Sequence, residues 1–147
     1  MINTNLMKLS DNILTPADFG LKSNPANELL LNRYKLSDLA DEFGTPLYVL
    51  DVKSLTERAK QFRHCVSSNL LFTSRVFYPI KCNSVPAVLR AVKNAGLSAE
   101  AMTDFELDLA IHCGFEPSEI IVNGPCKTES FLRKCLGYRV HLIVIDS

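Results

Sequence analysis

The chain has 147 residues, 47% hydrophobic and 22% charged, a composition that excludes a disordered or low-complexity polypeptide. Sixteen basic residues balance sixteen acidic ones, so no global field draws the chain to nucleic acid or to an anionic membrane surface. The longest apolar runs, such as Leu142-Ile143-Val144-Ile145, fall far short of the about 20 residues of a membrane span, and the first ten residues lack the charged and apolar regions of a secretory signal; the expectation is a cytoplasmic protein.

Residues 1–26 are rich in Asn, Ser, Asp and Pro, are punctuated by Pro16, Gly20 and Pro25, and read as a tail or lead-in. Leu29-Leu30-Leu31 predicts a strand, and residues 37–43 a helix with Ser37 as N-cap and Gly44 as its stop. A regular alternation then begins. Leu47-Tyr48-Val49-Leu50 predicts a buried strand, and residues 54–65 a helix with Leu55, Ala59, Phe62 and Val66 at helical spacing. Residues 76–80 predict the next strand, followed by a helix over 86–94 that opens on Pro86 and ends at Gly96. A weak strand over 98–102 leads to a helix over 104–113, capped by Asp104 and stopped by Gly114. Ile120-Ile121-Val122 is a strand, residues 128–136 a helix ending at Gly137, and residues 142–145 a last strand.

Five strands thus alternate with four helices, which predicts an α/β fold of parallel strands joined by right-handed crossovers. Two architectures share this period. A doubly wound, flavodoxin-like sheet would be complete at this length, whereas a (β/α)8 TIM barrel needs about 250 residues and would be half present. Length favours the first, but Leu50-Asp51-Val52-Lys53-Ser54 after the first strand has no glycine, so the usual nucleotide-binding loop is missing. The period alone does not choose between them.

The five cysteines, Cys65, Cys82, Cys113, Cys126 and Cys135, are odd in number and form no C-x-x-C pair, which predicts free thiols rather than a disulfide framework or a zinc knuckle. His64, His112 and His141 are scattered without metal-ligand spacing.

In parallel sheets and barrels alike, functional side chains gather at the C-terminal ends of the strands. Those positions hold Asp51, Lys81-Cys82-Asn83, the stretch from Glu100 to Glu106, Asn123-Gly124-Pro125-Cys126-Lys127, and Asp146-Ser147. Lys81 has two readings. At the end of an apolar strand it is either a partly desolvated amine, with a lowered pKa and Schiff-base chemistry open to it, or a lysine that snorkels to the rim. Glu100 reads equally as a solvated strand-end carboxylate, and Glu106 as a first-turn glutamate favoured by the helix dipole. Asn123 to Thr128 reads as a tight Gly-Pro turn at the rim, with Lys127 facing the site.

Several of these segments occur together and in order: Phe43-Gly44-Thr45-Pro46-Leu47-Tyr48-Val49-Leu50-Asp51, Phe77-Tyr78-Pro79-Ile80-Lys81-Cys82-Asn83 with Val88-Leu89, Asn123-Gly124-Pro125-Cys126-Lys127-Thr128 and Ile145-Asp146-Ser147. Over about residues 27–147 the chain resembles the N-terminal part of the fold-type III, pyridoxal-phosphate-dependent decarboxylases, the group of diaminopimelate, ornithine and arginine decarboxylases. Alanine racemases share the fold type, but Ser84-Val85-Pro86-Ala87-Val88-Leu89 after the lysine looks like the decarboxylase version.

The resemblance implies a partial TIM barrel with about five parallel strands present over residues 37–147, preceded by a strand over 27–36 that belongs to a β-sandwich domain completed elsewhere. It implies pyridoxal 5'-phosphate as cofactor, Lys81 as the lysine that links to it covalently, and Glu100 and Glu106 as cofactor-binding residues. The implied activity is decarboxylation of a basic or diamino acid, diaminopimelate before ornithine or arginine, with a small-molecule amino-acid substrate and a homodimer in the full-length parent. A non-catalytic truncated homologue that acts by binding a partner is the alternative. Two departures stand out. Pro79 sits inside the lysine strand, where proline removes a ladder hydrogen bond. The stacking histidine, Gly-rich phosphate loop, acidic partner of the ring nitrogen and cysteine from a neighbouring subunit that the family places further along are absent from the 147 residues, so the chain alone is expected to turn over substrate poorly. A half barrel would also leave its first and fifth strands as open edges.

Overall fold

The computed structural model describes residues 15–69 and 74–145. The chain divides into two compact units, Met1–Leu50 and Asp51–Ser147.

In the first unit a 3-10 turn at Pro16–Phe19 leads into a small antiparallel sheet of β1 (Lys22–Ser23), β2 (Leu29–Leu31) and β3 (Tyr34–Lys35), in that order. The lead-in therefore contributes a strand, with Lys22 opposite Leu30. Helix α1 (Leu36–Phe43) follows β3 without a loop, so the extended residue before it is Lys35, and the predicted cap Ser37 falls inside the first turn. Gly44 closes the helix as expected, at φ +81°. Residues 47–50 are not a strand. An apolar run becomes one only with a ladder partner, and no described strand pairs with this one; Leu47, Val49 and Leu50 are exposed and Tyr48 fully so.

In the second unit, helix α2 (Val52–Asn69) starts earlier than its apolar face indicates because Asp51 caps it. The Asp51 Oδ1 accepts from the N–H groups of Lys53 and Ser54 at 3.0 and 3.2 Å. Four parallel strands follow, β4 (Phe77–Pro79), β5 (Ser98–Ala101), β6 (Ile120–Val122) and β7 (Leu142–Ile143), alternating with α3 (Pro86–Asn94), α4 (Asp104–His112) and α5 (Glu129–Tyr138). Their order is β4-β5-β6-β7. That consecutive order excludes the doubly wound sheet, whose strand order reverses at a switch point, and leaves four parallel strands among the described residues where five were expected.

Residue alternation assigns the two faces. Ala99, Ala101, Ile120 and Val122 are fully buried and pack with Ile80, Leu89, Val92, Leu107 and Cys135 in one core shared with the helices. Pro79, Glu100 and Ile121, level with one another in the register, lie on the other face and are half-buried. Helices on one face only are the arrangement of a barrel wall. The ring of Phe77 on β4 also stacks on His141 just before β7, with centroids 6.1 Å apart, although a flat sheet would hold these outer strands about 14 Å apart. The sheet is curled.

Pro79 fits because β4 is an edge strand among those described. The Ser98 N–H donates to the Val76 carbonyl at 2.9 Å, so by alternation Tyr78 directs its backbone groups toward β5, and the missing N–H of Pro79 falls on the open side.

Two predicted helix ends shift for local reasons. Thr103, in extended backbone, caps α4 by accepting from the Glu106 N–H at 3.1 Å. Asp104 is the first helical residue, its carboxylate meeting Lys134 at 2.6 Å. Gly137 lies within α5, which ends when Arg139 takes left-handed backbone at φ +58°. All five cysteines are free; Cys113 and Cys135 are buried. Among the described residues no helix is long and apolar enough to cross a membrane.

Candidate active site

The sequence-derived candidates gather around the C-terminal ends of β4, β5 and β6. After Pro79 the chain leaves the ladder for a 3-10 turn, Ile80–Cys82, closed by the Asn83 N–H donating to the Ile80 carbonyl at 3.1 Å. The Asn83 side chain then accepts from the Val85 N–H at 3.0 Å and leads the chain into α3 at Pro86. Ile80 is fully buried in the core and Lys81 is exposed. The amine is not desolvated by strand neighbours, as an apolar strand end predicts, because the turn lifts it off the sheet. No described residue pairs with it.

Glu100, on the open face of β5, is half-buried, and it is not simply solvated. Its Oε1 accepts from the Asn123 Nδ2 at 3.1 Å across the ends of β5 and β6. Asn123 is itself oriented, because its Oδ1 accepts from the Gly124 N–H at 2.8 Å. Gly124 is buried at φ +104°, and a Cβ there would stand 3.2 Å from the Met102 Cβ. Only glycine lets the loop come that close to β5.

Glu106 is buried in the first turn of α4, and its Oε2 accepts from the Met102 N–H at 2.6 Å. It holds the turn that follows the Glu100 strand. Lys127 does not project into open space: its Nζ donates to the Gly124 carbonyl of its own loop. Cys82 and Cys126 are exposed on the same rim. Burial pushes the Tyr78 phenol up, with Cys82 adding to the shift. Asp51 serves as a helix cap, and Asp146 and Ser147 lie outside the described residues. Among the described residues no group of His, Cys, Asp and Glu is placed to hold a metal ion.

Of the three sequence-derived candidates, Lys81 and Glu100 thus belong to neighbouring strand ends and Glu106 to the first turn of the helix after β5, and Asn123 joins them as the partner of Glu100. The Asn-Gly pair directly after β6 was the signal for it, since that dipeptide marks a loop needing left-handed backbone.

Comparison with known proteins gives this end of the sheet a context. Residues 52–147 match the family described as "Pyridoxal-dependent decarboxylase, pyridoxal binding domain". The diaminopimelate decarboxylase of Bacillus subtilis is 37% identical over 109 residues, covering 74% of this chain and 25% of that protein. The diaminopimelate decarboxylase of Actinosynnema pretiosum is 34% identical over 120 residues, covering 82% of this chain and 26% of that one. A crystal structure of diaminopimelate decarboxylase from M. jannaschii in complex with L-lysine superposes with a TM-score of 0.74 at 22% identity, over 86% of this chain and 30% of that one, a likeness of fold. The chain spans 25% and 26% of the length of these two sequence relatives. It belongs to the pyridoxal-dependent decarboxylases, of whose pyridoxal-binding domain it carries a part.

Proposed function

We propose that this chain carries the lysine-bearing part of a pyridoxal-phosphate-dependent decarboxylase acting on a diamino acid, with diaminopimelate preferred to ornithine or arginine. The observation that carries this reading is the Lys81 amine, exposed and without a partner among the described residues, on the turn at the C-terminal end of β4 beside the Glu100 strand end. Relatives with diaminopimelate decarboxylase activity by name support the substrate choice, as does the L-lysine held by the M. jannaschii enzyme.

The residues present fit pyridoxal phosphate at this rim. An accessible primary amine is the group that captures an aldehyde, and the half-buried carboxylate of Glu100 offers a fixed negative charge to a cationic ring or amine. When bound, the cofactor supplies the electron sink that stabilises the carbanion left as carbon dioxide departs. Lys81 tethers it. Asn123 orients Glu100, and Glu106, the second carboxylate assigned to the cofactor in this reading, is buried and keeps the Met102 backbone in place. The small antiparallel sheet, β1 to β3, belongs in this reading to the second, sandwich domain of a longer parent that works as a homodimer.

Equilibrium dialysis of the 147-residue chain against pyridoxal phosphate tests the reading. Retention that is lost in Lys81→Ala, and that diaminopimelate lowers more than ornithine or arginine does, supports it. Retention unaffected by Lys81→Ala, or equal competition by all three amino acids, contradicts the site or the substrate choice respectively.

A further inference from the structure

The opposite, N-terminal end of the parallel sheet holds a second feature that the decarboxylase reading does not use. Lys60, Arg63, His64 and Ser67 of α2 fall at i, i+3, i+4 and i+7, on one face, and line a hollow of about 320 Å³ against the turn at residues 94–96. A second hollow, of about 310 Å³, shares Arg63, Ser67 and Gly96 and runs on to Ser74, Arg75 and Glu119. Together they form one continuous groove. Each part is at the low end of the volumes that take small molecules.

The groove is electrostatically lopsided. Arg63 places one guanidinium nitrogen on the Ala95 carbonyl at 3.2 Å, and Arg75 one on the Ser118 carbonyl at 3.0 Å. Both bonds go to neutral acceptors, so each guanidinium is oriented and keeps its charge and its other donors. Lys60 has no partner among the described residues, and none of the three cations pairs there with a carboxylate. The one acid in the wall, Glu119, is already taken by Lys93 at 2.9 Å and by the Glu116 N–H at 2.9 Å. A chain of zero formal charge therefore sets three cations along one groove against the single carboxylate of Glu119, which also feels the charge of Arg75. The backbone is shaped for it as well. Gly96, at φ +84° in the turn that ends α3, has no side chain, and the Arg63 Nη1 occupies the space a Cβ would take.

We propose that this groove binds a phosphoanion, either free phosphate or the phosphate group of a small organic molecule. Arg63 lines both hollows, with Lys60 in one and Arg75 in the other, so a phosphate seated at Arg63 meets a fork able to donate in parallel to two of its oxygens, with a further cation on either side to match its double charge. Arg75 precedes β4, Gly96 precedes β5 and Glu119 precedes β6, so this site lies at the other end of the strands from Lys81 and Glu100 and stands independently of their role.

Equilibrium dialysis of the 147-residue chain against radiolabelled inorganic phosphate, with glycerol phosphate as competitor, tests the proposal. Saturable binding near one phosphate per chain is expected, weakened about tenfold or more by Arg75→Gln or by Lys60→Gln and unchanged by Lys53→Gln, an exposed α2 lysine outside the groove. Competition by glycerol phosphate tighter than by inorganic phosphate assigns the site to an organic phosphate, and equal competition to the free anion. Absence of saturable binding overturns the proposal, as does full binding in Arg75→Gln and Lys60→Gln chains whose circular dichroism matches the parent.

Discussion

Asn123 donates to Glu100 across the ends of two neighbouring strands at 3.1 Å, while its own carbonyl oxygen is fixed by the Gly124 N–H. The carboxylate at the rim is thus held by a neutral donor rather than a cation, which orients it without cancelling its charge. Replacing Asn123 by Ala leaves a half-buried carboxylate oxygen unpaired and costs about 1 kcal/mol. Asn123→Asp sets a second carboxylate against the first, which raises the pKa of the pair in the folded state. A raised carboxyl value makes the folded chain the stronger proton binder, so the penalty is greatest near neutral pH and fades as the pH falls. Urea unfolding of both variants at neutral and acidic pH checks this: Asn123→Asp should recover toward the parent in acid, and Asn123→Ala should not.

Gly124 and Gly137 should respond to alanine in opposite directions. At Gly124 the backbone is left-handed and the new Cβ meets Met102 at 3.2 Å, so Gly124→Ala is expected to destabilise by about 1–3 kcal/mol. Gly137 is helical with nothing within 4 Å of an added Cβ, and Gly137→Ala should stabilise by about 0.5 kcal/mol. Thermal melts of the two variants side by side decide it.

Burial pushes Glu119 up, but the Glu116 N–H, the Lys93 ammonium and the nearby charge of Arg75 outweigh it and hold the carboxyl below its ordinary 4.5. A lowered folded value means that stability from this group is complete above about 4.5 and is lost as the pH falls through the folded value. Both side chains are partly exposed, so solvent screening limits the contribution to below about 1 kcal/mol. Glu119→Gln should therefore be slightly less stable than the parent at pH 7 and equal to it in acid, as measured by urea midpoints across that range.

The sheet edges predict association. β4 and β7 are the outer strands among those described, and Leu142 and Ile145 on the β7 side are 53% and 81% exposed. Unpaired edges with exposed apolar side chains and no net charge favour chain–chain contact. Light scattering is expected to give a mass above that of the monomer, reduced in Ile145→Lys. A monodisperse, cooperatively melting monomer would contradict this.

Much of this architecture was legible in the residues, and the misses have physical causes. The helices over 86–94 and 104–112 and the strand Ile120–Val122 announce themselves through apolar spacing bounded by proline and glycine. Strand order does not, because periodicity reports which residues face the core and not which strand lies beside which; only the register of β4 to β7 excludes the doubly wound sheet. Residues 47–50 have the right side chains for a strand, but the ladder that makes one is a long-range property. Lys81 was correctly read as a strand-end residue, but the turn that exposes it depends on Ile80 being drawn into the core. Asn123 stands among the strand-end candidates in the sequence, but its pairing with Glu100, 23 positions away in the chain, is not visible there.

Everything proposed for the decarboxylase site rests on Lys81 being the amine that takes the cofactor. The direct measurement is borohydride trapping of pyridoxal phosphate on the 147-residue chain at limiting cofactor, followed by peptide mapping by mass spectrometry. Lys81 should carry most of the reduced label, ahead of other exposed lysines such as Lys22, Lys53 and Lys60. Label spread evenly over the surface lysines, or concentrated on one other than Lys81, would contradict it.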